Sequence, residues 1–213
     1  MARGESKPSR LTTVPNARSS RIAGILFADV VGFSSLSDIE VVRFHYEFLG
    51  AVGRLLALTR NPPIVRNTWG DGLYLIFETV RDAGVFALEL CAMIVETDWA
   101  ALELPSGLTA RVGLHAGPLF DFSDRVTGQL TLAGKHVTRA ARVEPVTPPG
   151  TVYATQEFAA LAAAYGVTEF ACEPVGRVTL AKKAGVTPLF LVRAARSSST
   201  TREKVRSRRH KGL

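Results

Sequence analysis

The sequence predicts an α+β fold in which a central, mostly antiparallel sheet is flanked by helices. Apolar segments of strand length occur near 23–30, 64–69, 72–78 and 109–115. Residues 37–59 and 80–98 instead repeat their apolar side chains at helical spacing. The resulting order of strand, helix, strand, strand, helix, strand is the split arrangement of a ferredoxin-like sheet.

Each element has its own signal. The first strand stops at Asp29 and opens into Val30-Val31-Gly32-Phe33-Ser34-Ser35, leaving backbone amides free at a helix entrance. In the helix that follows, Ile39, Val42, Leu49, Val52 and Leu56 recur at helical spacing, and Phe44, Phe48 and Leu55 widen the apolar face. The next two strands read as a hairpin turning at Gly70-Asp71-Gly72, with a carboxylate at its tip. The 80–98 helix starts at Arg81-Asp82 and carries Phe86, Leu88, Leu90, Met93 and Ile94. Residues 117–130 read as a loop or ribbon, and Gly134 to Val143 as a helix that Pro145 to Gly150 stops. A short strand at Thr151 to Ala154 and an Ala-rich helix from Gln156 to Ala164, ended by Gly166, come next. Strands near 168–176 and 188–193 close the sheet. No internal repeat is present.

Composition fits one ordinary domain. The 213 residues are 46% hydrophobic and 21% charged, enough to bury a core and unlike a disordered chain. The charge lies at the ends: residues 1–21 carry +4 and 201–213 carry +5, leaving −2 for the middle. We expect residues 1–21 and 195–213 to be flexible basic arms around a folded body at 22–194. The solvated reading of those arms is preferred to stable contact with nucleic acid or a membrane. Neither a long apolar run nor a signal peptide is visible, so a cytoplasmic location is expected. Cys91 and Cys172 sit in apolar surroundings and read as buried free thiols.

Two aspartates carry the chemistry. Asp29 and Asp71 each end a buried-looking strand, and two hard oxygen ligands beside free amides suit divalent metals that carry a polyphosphate. A strand-end Asp alone is better explained by a cap or a turn; the pair in these contexts reverses that preference. The ordered motifs FADVVGF, WGDG, RVGLHAGP and GKHVTRAARVEPV resemble the catalytic domain of the class III nucleotide cyclases, over about residues 22–193. Within that superfamily the chain most resembles the bacterial pyrimidine cyclases of Pycsar antiphage systems, which make cyclic UMP or cyclic CMP.

The resemblance implies a site. Asp29 and Asp71 match the family's metal aspartates, and Val30 the position that lends a carbonyl to one of two ions, Mn²⁺ or Mg²⁺. Gly32, Phe33, Ser34 and Ser35 lie where amides would hold the triphosphate, although a simple tight turn is the competing reading. Arg142 matches the arginine that stabilises the transition-state phosphate. Thr138 stands four residues before it, where the family usually has an Asn that holds the ribose; a hydroxyl on the same helical face retains one hydrogen bond. Arg139 and His136 on the neighbouring face read as solvated or ion-paired. Lys182, in TLAKKAG, resembles the phosphate-contacting lysine, against the alternative of a solvated Lys182-Lys183 pair. In the family, the metals of one subunit meet this helix from the other, which implies a head-to-tail homodimer with composite sites.

Base recognition departs from the purine patterns. Asn67 stands where the family's adenylyl cyclases commonly have Lys and guanylyl cyclases Glu; Thr131 stands where adenylyl cyclases commonly have Asp, or Thr, and guanylyl cyclases Cys. Asn and Thr can read the O4/N3-H edge of uracil but also pair with adenine. Trp69, on the face of Asn67 by strand alternation, either narrows the base pocket or packs beneath the hairpin. Arg66 falls on the opposite face. UTP is the favoured substrate, giving cyclic UMP, with CTP not excluded and a separately encoded effector expected to sense the product. An adenylyl cyclase and a catalytically silent nucleotide-binding module are the alternatives.

Overall fold

The computed structural model describes residues 19–195, so most of both expected arms lies outside the described residues. Eight strands form one sheet: β1 (Ser20–Val30), β2 (Val65–Trp69), β3 (Gly72–Phe77), β4 (Ala110–Ser123), β5 (Leu130–Ala133), β6 (Val152–Thr155), β7 (Phe170–Thr179) and β8 (Val186–Ala194). The principal helices are α1 (Asp38–Arg43), α2 (Leu49–Leu58), α3 (Val80–Glu96), α4 (Lys135–Val143) and α5 (Gln156–Ala164). The strand order is β2-β3-β1-β4-β6-β8-β7, with β5 paired to β4. Only the β4–β6 pair is parallel. Its first half, β2-β3-β1-β4 with two crossing helical segments, is the expected split sheet.

Local chemistry sets the helix starts. Ser37 and Glu40 form a reciprocal capping box at α1, Thr79 caps α3 through the Asp82 amide, and Thr155 caps α5 through the Phe158 amide. The expected single helix over 37–59 is interrupted by a π-helical turn at Phe44–Phe48. One extra residue rotates the following face by about 100°. The buried seam therefore runs through Phe44, Phe48 and Val52, while Ile39 and Val42, expected on it, are 74% and 55% exposed.

Two strands begin or end beyond their expected limits. Ser20 and Arg21 already belong to β1, pairing with Phe120 and Leu119. Of the loop or ribbon expected at 117–130, the ribbon forms: β4 continues past Gly117 to Ser123, pairing with both β1 and β5.

Alternation divides the core. Leu26, Ala28 and Val30 of β1 and Leu75 and Phe77 of β3 face the larger cluster under α2, α3 and α5. Ala23, Ile25 and Ile76 face the other side, where they meet Ala140 of α4. On β4 that second face is Gly113, His115, Gly117, and both glycines are required: a Cβ at 113 would stand 2.5 Å from the Glu144 nitrogen, and one at 117 would stand 2.2 Å from His136 Nδ1. Two strand positions without side chains let α4 lie directly on the sheet. Cys91 and Cys172 are free, and burial pushes both thiols up to about 11, as suits inert core groups.

Candidate active site

The acid pair forms at one end of this second face. Asp29 is the last outward residue of β1 before Val30, and Asp71 is the second residue of the two-residue turn between β2 and β3. Gly70 supplies that turn's positive φ of +63°, as the first residue of such a turn demands. The Asp71 carboxyl is held above its ordinary value by burial, then by the charge of Asp29. Arg111, directly opposite Asp29 across the β1–β4 pair, lies 3.8 Å from it and 3.7 Å from Glu144. Glu144 is pushed up to about 7 by burial and by Asp29, with Arg111 opposing.

Arg111 and Glu144 belong to the same charged constellation and were not singled out in the sequence. The signal was present: alternation along RVGLHAGP puts Arg111 on the face of Gly113 and His115, and Glu144 follows Arg142 by two.

Beside the acids, Gly32 (φ +84°) opens a 3-10 turn at Phe33–Ser35. The Phe33 ring is anchored edge-on to Phe44 at 4.9 Å, and first-turn amides have no intrahelical acceptor, which leaves them available to an anion. Ser35 is spent locally, its hydroxyl donating to the Gly32 carbonyl at 2.6 Å.

A second group of residues gathers elsewhere. A cavity of about 530 Å³ is lined by Lys135, Thr138, Arg139, Arg142 and Lys182, together with Glu157 and others, and neither Asp29 nor Asp71 lines it. Arg142 Nη1 reaches the carbonyls of Ala181 and Lys182 at 3.4 and 3.5 Å, in a turn where Lys182 takes φ +55°. Arg139 is ion-paired as expected, to Glu157 at 3.5 Å, and also donates to Thr187. His136 has no ion pair among the described residues; half-buried at the edge of the same cavity, it stacks on His115 with centroids 5.1 Å apart. Thus one chain holds an acid pair and a cationic helix face in separate places.

The base-reading candidates are linked through a residue the sequence reading missed. Asn67 lies across the β2–β3 pair from Tyr74, which stacks on Phe27 at 4.8 Å and donates its hydroxyl to the Leu132 carbonyl, next to Thr131. Cross-strand pairing puts Asn67 and Trp69 on the Tyr74 face and Arg66 on the other. Trp69 is 90% exposed, which rules out packing beneath the hairpin. The indole belongs to the surface because Gly72, its partner across the turn, offers nothing to cover it.

His115 gives the fold an acid sensitivity. It is fully buried, and desolvation pushes it down to about 4 from an ordinary 6.5. Below 6.5 the unfolded chain takes up a proton that the native chain refuses, so stability falls as pH drops toward 4. Between pH 6.5 and 5 we expect a loss of roughly 2 kcal/mol from this group. Urea midpoints at several pH values check it; His115→Gln is expected to flatten that dependence.

Among the described residues, no cluster of three or more His, Cys, Asp or Glu side chains has metal-binding geometry. The Asp29–Asp71 pair nevertheless fits divalent cations: two hard carboxylates that repel each other when metal-free would be discharged by such ions, with carbonyl, water and phosphate oxygens completing their shells. No helix among the described residues is long and apolar enough to cross a membrane. A larger groove of about 880 Å³ by Leu88, Thr151 and Val192 is apart from this chemistry; its charged pair, Arg193 and Glu173, is mutually neutralised.

A sequence profile of the adenylate and guanylate cyclase catalytic domain matches residues 15–193, and the chain belongs to that family. Solved structures agree in fold. The guanylate cyclase domain of RhGC from Catenaria anguillulae, in complex with GTP, superposes with a TM-score of 0.69 at 17% identity, covering 83% of this chain and 99% of that one. The adenylyl cyclase CyaB from P. aeruginosa gives 0.67 at 16% identity, with 84% and 96% covered. A dimeric guanylyl cyclase domain from Blastocladiella emersonii gives 0.65 at 17% identity, with 83% and 98% covered. No curated protein matches the sequence.

Proposed function

We propose that the protein converts UTP to 3′,5′-cyclic UMP and diphosphate, at composite sites of a head-to-tail homodimer, with two divalent cations, Mn²⁺ or Mg²⁺, at each site. The observation that carries the base preference is the exposed Trp69 beside Asn67, on the sheet face where Tyr74 joins Asn67 to the Thr131 strand. Two aromatic rings narrow that rim, and a smaller rim favours a pyrimidine. Asn67 replaces the charged groups that commonly read purines in the family, and with Thr131 supplies donor and acceptor to the uracil edge. The same amide can pair with adenine, which keeps cyclic AMP as the second reading.

The chain's own groups divide the work. Asp29, Asp71 and the Val30 carbonyl hold the cations, which when bound activate the ribose 3′ oxygen and neutralise the leaving diphosphate. Amides of Gly32, Phe33 and Ser34 hold the triphosphate, and Lys182 approaches it from the partner. Thr138 orients the ribose and Arg142 stabilises the charge that builds on the α-phosphate. Acting in the partner's site, Arg142 would leave the carbonyls of Ala181 and Lys182 for phosphate oxygens. The product would signal to a separately encoded effector, as in antiviral defence, with the enzyme in the cytoplasm.

The test of the base reading is Trp69→Ala. We expect the ratio of kcat/KM for UTP over ATP to fall by about tenfold, mostly through KM for UTP. An unchanged ratio would remove Trp69 from base recognition.

A further inference from the structure

Helix α4 carries Thr138 and Arg142 and is tied down through Arg139, which bonds Glu157 and Thr187, and at its first turn through His136. It spans nine residues, too few to be stable alone in water, and its first turn has neither a side-chain cap nor an acidic residue. Only Ala140 and Val143 of its side chains are buried. The anchor at its N-terminal turn is His136.

His136 Nδ1 lies 2.8 Å from Nε2 of His115, and Nδ1 of His115 lies 2.7 Å from the Thr155 hydroxyl. That hydroxyl also accepts from the Phe158 amide at 3.4 Å, and the two imidazoles continue the line of contacts, with the donor at each step set by the histidine tautomers. The contact depends on Gly117, where any Cβ would collide with the His136 ring. One chain of hydrogen bonds therefore ties α4 to β4 and to the start of α5.

The geometry points to His136 as a positioning residue for cyclisation, fixing through His115 and Thr155 the seat of α4 on the sheet and hence the reach of Arg142 into the site shared with a second copy. This rests on the reading of α4 as the half-site lent to the partner. Six residues separate His136 from Arg142, about 9 Å along the helix, so a small tilt at the anchor displaces the guanidinium. A displacement of about 1 Å can cost on the order of a hundredfold in rate. His136 itself touches no reacting atom in this account.

His136→Ala is expected to lower kcat about 30-fold with KM within about threefold of wild type, using Mn²⁺ and whichever nucleotide the wild type cyclises fastest. His136→Asn, which keeps a hydrogen-bonding amide near the Nδ1 position, is expected to restore most of the loss. Mixed dimers separate positioning from general damage. His136→Ala mixed with Asp29→Ala should recover about a quarter of wild-type activity, since one site then has intact metals and an intact α4. His136→Ala mixed with Arg142→Ala should recover nothing, because both lesions lie on the same half-site. Amide exchange of residues 135–143 should be about tenfold faster in His136→Ala and near wild type in His136→Asn. Wild-type kcat in His136→Ala, recovery with the wrong partner, or unchanged exchange would each overturn the inference. If the wild type cyclises none of the four nucleotides, the site reading fails, and the exchange comparison alone decides the anchoring.

Discussion

Asp71→Ala is expected to abolish cyclisation, by roughly a thousandfold or more, while making the metal-free protein more stable. The two effects share a cause. In the folded chain the Asp71 carboxyl is disfavoured as an anion by burial and by Asp29, so its folded pKa lies above its unfolded value. Such a group costs native stability once pH exceeds the unfolded pKa, and removing it lifts that cost. Bound cations reverse the sign, since they need both carboxylates. Thermal melts in chelator should therefore place Asp71→Asn above wild type, and melts with Mn²⁺ and nucleotide should place it below. Product formation measured in parallel should show no turnover in Asp71→Ala or Asp71→Asn. An active Asp71→Ala would break the two-carboxylate account.

The second large effect is complementation. Asp29→Ala and Arg142→Ala are each expected to be inactive as homodimers. Mixed and allowed to exchange, half of the dimers are hybrids, and each hybrid has one site with intact Asp29, Asp71 and Arg142. Activity should return to about a quarter of wild type. The physical ground is the separation seen within one chain: the cavity bordered by Thr138, Arg142 and Lys182 excludes both aspartates. Proven hybrids that remain inactive would contradict composite sites.

Much of this architecture was legible in the sequence because its signals are local. Alternation, helical spacing and the Gly70 turn fix β1, the β2–β3 hairpin and α3, and the α5 range matches residue for residue. What escaped is what depends on neighbours distant in sequence. The π turn at Phe44–Phe48 shifts the buried seam away from Ile39 and Val42, and no spacing rule anticipates one inserted residue. Continuation of β4 to Ser123 follows from its partners β1 and β5. Trp69 fits either a base-pocket rim or the core beneath the hairpin by its strand position, and only its exposure in the assembled sheet decides between them.

The site divides in the same way. Asp29, Asp71, Thr138 and Arg142 stand in short local motifs, and it is the resemblance of those motifs to the family's that assigns them. Arg111 and Glu144 join the acids only through strand pairing and the docking of α4. Tyr74 and the His115–His136 contact are cross-element bonds, invisible until the sheet is assembled.

The central claim is that the chain is a pyrimidine cyclase, and one competition tests it most directly. Purified protein with Mn²⁺ receives equimolar ATP, GTP, CTP and UTP, and the cyclic products are resolved by mass spectrometry. Cyclic UMP is expected to dominate. Dominant cyclic AMP or cyclic GMP from the same mixture would contradict the reading of Asn67, Trp69 and Thr131 as a uracil-selective rim.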